Sequence, residues 1–168
     1  MSQFSLLEGI TNLNQSFSQL AVVMQSTQAL QASTLVGRSV QVLSDVAMLE
    51  DGQPIKGTVE LPSSSGDVFV AVYDSSGEYL GDINLGSQQA GSVSFEWNGL
   101  DTDGEPFPPG AYQFRAYAEE NGQHVGADLY LPQKVNSVAL NAGARGEILL
   151  NLEGFNKPVS LGDVKVIN

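Results

Sequence analysis

A change of hydrophobic period at Leu35-Val36-Gly37-Arg38 constrains this chain more than any other feature. A helix buries one face with a repeat near 3.6, a strand with a repeat of two, and one pattern cannot serve the other element. Ahead of the change, residues 1–35 hold no Pro, one Gly and a single charge, Glu8. Leu6, Ile10, Leu13, Phe17, Leu20 and Met24 alternate by four and three, the heptad spacing of a narrow apolar seam, and Thr27, Gln31 and Thr34 prolong it more weakly. A lone helix cannot hide such a seam, so the body, a second copy or a helix from a partner must cover it. The flanks are amides and hydroxyls, which leaves no ion pairs to choose the partner.

Beyond Arg38 the period is two, and Gly, Pro, Asn-Gly and Asp-Gly punctuate short runs, as in a chain of hairpins. Residues 39–48 and 55–61 bracket a turn at Glu50-Asp51-Gly52-Gln53. Tyr112 to Ala118 runs into a turn at Asn121-Gly122 and returns through Val125 to Leu131. Between these lie Val68 to Tyr73, Tyr79 to Leu85 and Val93 to Trp97, the last with Val93, Phe95 and Trp97 on one face. Residues 62–131 therefore read as an immunoglobulin-like sandwich without a cysteine pair, in which Trp97 packs on aliphatic and aromatic neighbours.

Past Pro132 come further strands, Val135 to Leu140, Glu147 to Leu152 and Val159 to Ile167. Their nearly neutral composition matches residues 36–61, and neither set alone has enough strands to bury two faces. The expected organisation is a helix over 1–35, a small discontinuous barrel from 36–61 plus 132–168, and an inserted sandwich over 62–131. Short crossings are expected at Leu61-Pro62 and Leu131-Pro132.

Charge narrows the partners. Nineteen Asp and Glu against seven Lys and Arg set a net charge of −12, which nucleic acid or an anionic membrane would repel. Fifteen of the acids and only two basic residues, Lys56 and Arg115, fall between Ser44 and Asp128, so the middle is an exposed acidic module. There is no cysteine, hence no disulfide frame, thiolate metal site or thiol nucleophile. No signal-like block or membrane-length apolar run is present in the sequence.

Candidate chemistry is sparse. Asp101-Thr102-Asp103-Gly104 resembles the opening of a calcium loop, but Glu105 and Pro106-Phe107-Pro108-Pro109 stand where further ligands are needed, and a hydrogen-bonded turn explains the same residues. His124, the only histidine, lies beside the Asn121-Gly122 turn with nothing in sequence to orient it. No catalytic residue, metal ligand or cofactor is assigned, and the chain is read as a non-enzyme.

Phe95-Glu96-Trp97-Asn98-Gly99 followed by Asp101, Gly104, Pro108, Gly110 and Tyr112 resembles the W-[DN]-G-x-D-x-x-G-x-x-x-P-x-G-x-Y signature of the FlgD family of flagellar hook-capping proteins. In physical terms Trp97 fills a core, Asn98-Gly99 and Asp103-Gly104 turn, and Gly110 releases the chain so that Tyr112 re-enters the core. Gln3 to Ile10 is similar to the family's QFS-x-LEG segment, Leu35-Val36-Gly37-Arg38 to its L-[IV]-G-[RK] entry, and Val135 to Leu140 to its return strand. Together these cover nearly the whole chain.

The resemblance implies a tudor-like barrel carrying a fibronectin-like sandwich. It also implies a scaffold role: a ring of five copies at the distal tip of the growing hook guides hook protein into the lattice, outside the cell, after export by the flagellar secretion system. The seam from Leu6 to Met24 would bind neighbouring copies or the hook subunit. A polar segment that precedes QFS-x-LEG in the family is not in this sequence, so the piece is expected to fold but not to be exported. The alternative is a secreted surface- or carbohydrate-binding sandwich, whose solvent-facing aromatics should stand in a row; the outward candidates Tyr73, Tyr79 and Tyr117 fall on different strands.

Overall fold

The computed structural model describes the backbone of residues 2–139 and 147–167, without the side chains of residues 2–7, 25, 28, 166 and 167. Helix α1 (Ser2–Ser33) precedes strands β1 (Ser39–Leu43), β2 (Val46–Leu49), β3 (Ile55–Leu61), β4 (Ser65–Tyr73), β5 (Tyr79–Gln88), β6 (Gly91–Trp97), β7 (Gly110–Glu120) and β8 (Gln123–Ala139). β9 (Leu149–Leu152), β10 (Val159–Ser160), a 3-10 turn (Leu161–Asp163) and β11 (Val166–Ile167) follow. The chain is thus mainly β with one N-terminal helix.

The strands form a larger and a smaller lobe. In the larger, β5, β4 and β7 make one layer, and β6, β3 and the middle of β8 make the other. Between the layers sits one core that includes Val59, Val68, Val70, Phe95, Trp97, Phe114 and Leu131. Alternation builds it: along β6, Phe95 and Trp97 are buried while Ser92, Ser94 and Glu96 are exposed. In the smaller lobe β11, β1, β8, β9 and β10 surround Leu35, Val40, Val42, Val135, Leu150 and Leu152.

The hairpin at Asn121-Gly122 forms as expected, with both residues at positive φ (53° and 78°) and Glu120 opposite Gln123. The one expected from 39–48 and 55–61 does not. Its turn closes, Gln53 N donating to Glu50 O at 3.1 Å, but β2 pairs with β7 while β3 pairs with β6 and β8. Ala47 and Leu49 on one side and Ile55 and Val59 on the other must face the same core from opposite layers, and burial outweighs local pairing.

That packing also moves the division expected at residue 62. β2 and β3 belong to the larger core, so the lobes part near Leu43–Val46 rather than at Leu61-Pro62. Nor is Leu131-Pro132 a crossing, because β8 runs through it as one strand. Pro132 pairs with Gln41 of β1 after the β3 ladder has ended at Thr58–Tyr130, the one-sided position that a residue without an N–H tolerates. Among the described residues the smaller lobe is an open five-strand sheet, with no ladder joining β10 to β11 to close a barrel. Leu140, counted in the expected return strand, lies outside the described residues.

A buried polar joint fixes one lobe on the other. Thr58 Oγ1 donates to Gln41 Oε1 at 2.8 Å, Gln41 Nε2 to the Lys56 carbonyl at 3.1 Å, and Gln133 Nε2 to the Val46 carbonyl at 2.5 Å. Gln41, Thr58 and Gln133 are all buried, so each bond also prevents an unsatisfied polar group. Lys165, ahead of β11, closes the outer side on Glu60 of β3 and lies over the Tyr130 ring.

Two outcomes test this packing. Gly57 faces Phe95 across the β3–β6 ladder, and a Cβ there would come within 2.4 Å of the ring. Gly57→Ala should cost ~1–3 kcal/mol by overpacking, read as a lower midpoint in chemical denaturation. In the β4–β5 turn, Asp74 Oδ1 accepts from Ser76 Oγ and from the amides of Ser76 and Glu78 (2.7–2.8 Å). Led by the Ser76 hydroxyl, these bonds hold its carboxyl below the ordinary value. A depressed carboxyl stabilises the fold above its unfolded pKa and ceases to do so as pH falls through the folded one. Amide signals of Ser76 and Glu78 should therefore hold through the ordinary carboxylate range and move only at lower pH.

Candidate functional site: an exposed helix on a fixed socket

The helix forms because residues 2–33 are free of Pro and hold one Gly, and it stops where Gly37 adopts φ 82°. Its end is anchored: Gly37 N donates to Val135 O at 2.8 Å, Val135 N to Arg38 O at 2.9 Å, and Arg38 N to Leu35 O at 2.9 Å. Ala32 and Leu35 are buried against the smaller lobe, while Ala29 and Ser33 line a groove with Asn136, Ser137 and Val138 of β8. Leu35, Val36, Gly37 and Arg38 are thus the socket: Leu35 enters the core, Gly37 and Arg38 bond to β8, and Val36 stays half exposed at 48%.

The expected seam points elsewhere. At 3.6 residues per turn, Ala32 and Ser33 lie about a quarter to a half turn round the helix from Met24. Ile10, Leu13, Phe17, Leu20 and Met24 are accordingly exposed, Phe17 at 67%; the side chain of Leu6 lies outside the described residues. The body does not cover this seam. Val22, Val23 and Leu30 are exposed as well, at 61–70%, so the apolar surface is wider than the heptad reading implies. The unbroken run Ala21-Val22-Val23-Met24 was the signal for it. Between these residues, Ser16, Ser18, Ser26 and Thr27 turn their hydroxyls back onto carbonyls four residues earlier (2.9–3.0 Å), which withdraws polar atoms from the flanks.

The signature residues build structure. Trp97 is 7% exposed, with ring centroids of Tyr112, Phe114 and Phe107 at 4.9, 5.5 and 5.8 Å. Tyr112 anchors the loop by donating its hydroxyl to the Pro108 carbonyl at 2.7 Å, and burial raises its phenol above the ordinary value. Asn98 Oδ1 accepts from Leu100 N at 3.1 Å. Gly99 has φ 68° and would place a Cβ 2.9 Å from Leu49, so both backbone and space demand glycine. Asp101 Oδ1 accepts from the amides of Asp103 and Glu105 at 2.9 Å, and Gly104, at φ 84°, donates to Asp101 O. Gly110 opens β7 opposite Leu49, with open space where a side chain would stand.

Among the described residues no group of three or more His, Asp or Glu could hold a metal ion, and no helix is long and apolar enough to cross a membrane. His124 Nε2 lies 3.3 Å from Asp67 Oδ2, both partly exposed, with Phe69 edge-on at 5.1 Å.

Residues 44–123 match the family model described as the FlgD Ig-like domain, a span that takes in β2 and β3 with the larger core. Over 132 residues the chain is 30% identical to the basal-body rod modification protein FlgD of Escherichia coli and 29% identical to that of Salmonella typhimurium. Each alignment covers 74% of this chain and 57% of the relative, so the chain spans little more than half the length of these proteins. The solved FlgD of Xanthomonas campestris, presented as giving insight into hook capping essential for flagellar assembly, shares 29% identity (TM-score 0.65; 84% of this chain, 99% of that one). That of P. aeruginosa shares 43% (TM-score 0.67), over 79% of this chain and 98% of that one. Nearly the whole of a solved FlgD is thus matched at high identity, and the chain belongs to the FlgD family.

Proposed function

We propose that this chain belongs to a flagellar hook cap: a scaffold at the distal end of the growing hook on which hook protein polymerises. The observation that carries this reading is a helix whose apolar side chains, Ile10, Leu13, Phe17, Leu20 and Met24, face away from the body that holds it. A helix that, among the described residues, buries only its last turns on its own chain supports association with something else. Family membership supplies the context, through relatives named for rod modification and for hook capping.

In this proposal the seam packs against the same helix of neighbouring copies in a ring of five, or against a terminal segment of the hook subunit. The smaller lobe is the tudor-like module and the larger lobe an outward acidic sandwich. Carried in its parent protein, the chain acts outside the cell after flagellar export, catalyses nothing, and meets neither nucleic acid nor membrane. Burying the seam drives assembly, and a helix whose one charge is Glu8 makes that drive hydrophobic.

Deleting the parent gene in its own bacterium should leave cells hookless in electron micrographs, with unassembled hook protein in the medium; normal hooks would overturn the reading. Phe17→Asp should abolish complementation. Body stability should move by less than ~0.5 kcal/mol in denaturant melts, because the side chain is exposed on the helix. Helix-mediated association, followed by sedimentation, should hold or strengthen as salt rises, whereas an ion-paired contact would weaken.

A further inference from the structure

The larger lobe is sealed along one side and open along the other. β8 passes from one layer to the next and closes the first side. On the second, among the described residues, β5 pairs only with β4 and β6 only with β3. A groove of about 470 Å³ opens between them where residues 80–83 of β5 face Glu96 and Trp97 of β6. Leu80, Ile83, Trp97, Leu100 and Phe107 line it, Leu100 at 40% exposure. Asp82, Glu96 and Asp101 also line it, and among the described residues no Lys or Arg does.

We propose that this groove docks an extended basic segment of a partner protein. The segment pairs with the free edge of β6, seats an apolar side chain beside Leu80, Trp97 and Phe107, and brings Lys or Arg to the three carboxylates. The β3–β6 ladder runs from Ile55–Trp97 to Leu61–Gly91 without a register shift, so the outer edge of β6 is a regular template for another strand. β5 is less suited, because its ladder with β4 shifts register three times.

Charge selects the occupant. The surrounding stretch from Ser44 to Asp128 has fifteen acids against Lys56 and Arg115. Lys56 meets Glu96 at 3.4 Å, an exposed pair that water and salt weaken, and Arg115 lies over Tyr73 in the other layer. A second copy would bring the same acids to the rim and be repelled, whereas a basic strand is drawn in. Asp101 uses Oδ1 for its own turn, so Asp82 and Glu96, both exposed, are the residues to alter without disturbing the loop.

The test is a titration of the nitrogen-15-labelled chain with a capped hexapeptide of alternating valine and lysine, and with its valine–glutamate counterpart. Saturable shifts are expected at the amides of residues 91–97 and at the Trp97 indole, with the lysine peptide alone. The double variant Asp82→Lys, Glu96→Lys should bind that peptide at least tenfold more weakly while its β7 and β8 amide signals stay in place. Phe17→Asp should bind as the parent does. Three results would overturn the groove: equal response to both peptides, shifts spread over the acidic surface without the Trp97 indole, or unchanged affinity in the double variant. Lost binding in Phe17→Asp would assign the peptide to the helix and overturn it too, whereas hook capping is judged separately by complementation.

Discussion

β8 is the strand on which the rest depends. Its 17 residues would reach about 56 Å at strand rise. Along that length it pairs with β7 at Ala127, with β3 at Tyr130, with β1 from Tyr130 to Lys134, and with β9 from Val135 to Ala139. It leaves one layer of the sandwich, joins the other and then becomes the centre of the smaller lobe. Leu129 and Leu131 enter the larger core, Val135 enters the smaller, and Gln133 between them bonds to β2. A strand continuous through both lobes holds them more firmly than two flexible crossings could, and the Gln41–Thr58 bond adds a side-chain lock. The helix inherits this rigidity, since its socket bonds directly to Val135.

The two faces proposed to meet other molecules use opposite physical terms. Along the helix, one charge in the first 35 residues and hydroxyls turned onto their own backbone leave an apolar seam between amide flanks, a surface suited to hydrophobic contact. On the sandwich, acids keep the surface solvated and bias encounters toward basic partners. The smaller lobe separates these regions, so association through the seam need not cover the sandwich edges.

Much of this organisation is legible in the residues. The helix, the strands from Val68 to Leu131, the Asn121-Gly122 hairpin and the burial of Trp97 all follow from period and turn chemistry, which act over a few neighbours. The misreadings share one cause. Residues 39–48 and 55–61 look like a hairpin because a turn joins two alternating runs, and Leu131-Pro132 looks like a linker because Pro usually interrupts a sheet. Neither pattern records which layer a strand joins, and that is decided by cores assembled from residues far apart in the chain. The seam of the helix was visible for the same local reason that its wider margin, Val22, Val23 and Leu30, was not: a heptad template selects one stripe. The outward tyrosines show the same limit. Tyr73 and Tyr79 meet edge to face at 5.7 Å and Tyr117 stacks on Phe69 at 5.2 Å, neighbours that strand pairing alone creates.

By itself, then, the sequence determined the element types, the acidic middle, the turns of the tryptophan loop and an apolar seam in need of cover, because each is set by short-range sterics, periodicity or composition. Only the tertiary structure decided that β2 and β3 join the larger core, that β8 runs unbroken through both lobes, that the seam faces away from the body, and that a groove opens between β5 and β6. Those outcomes depend on long-range strand pairing, and a linear pattern holds the residues that pair without stating which will meet.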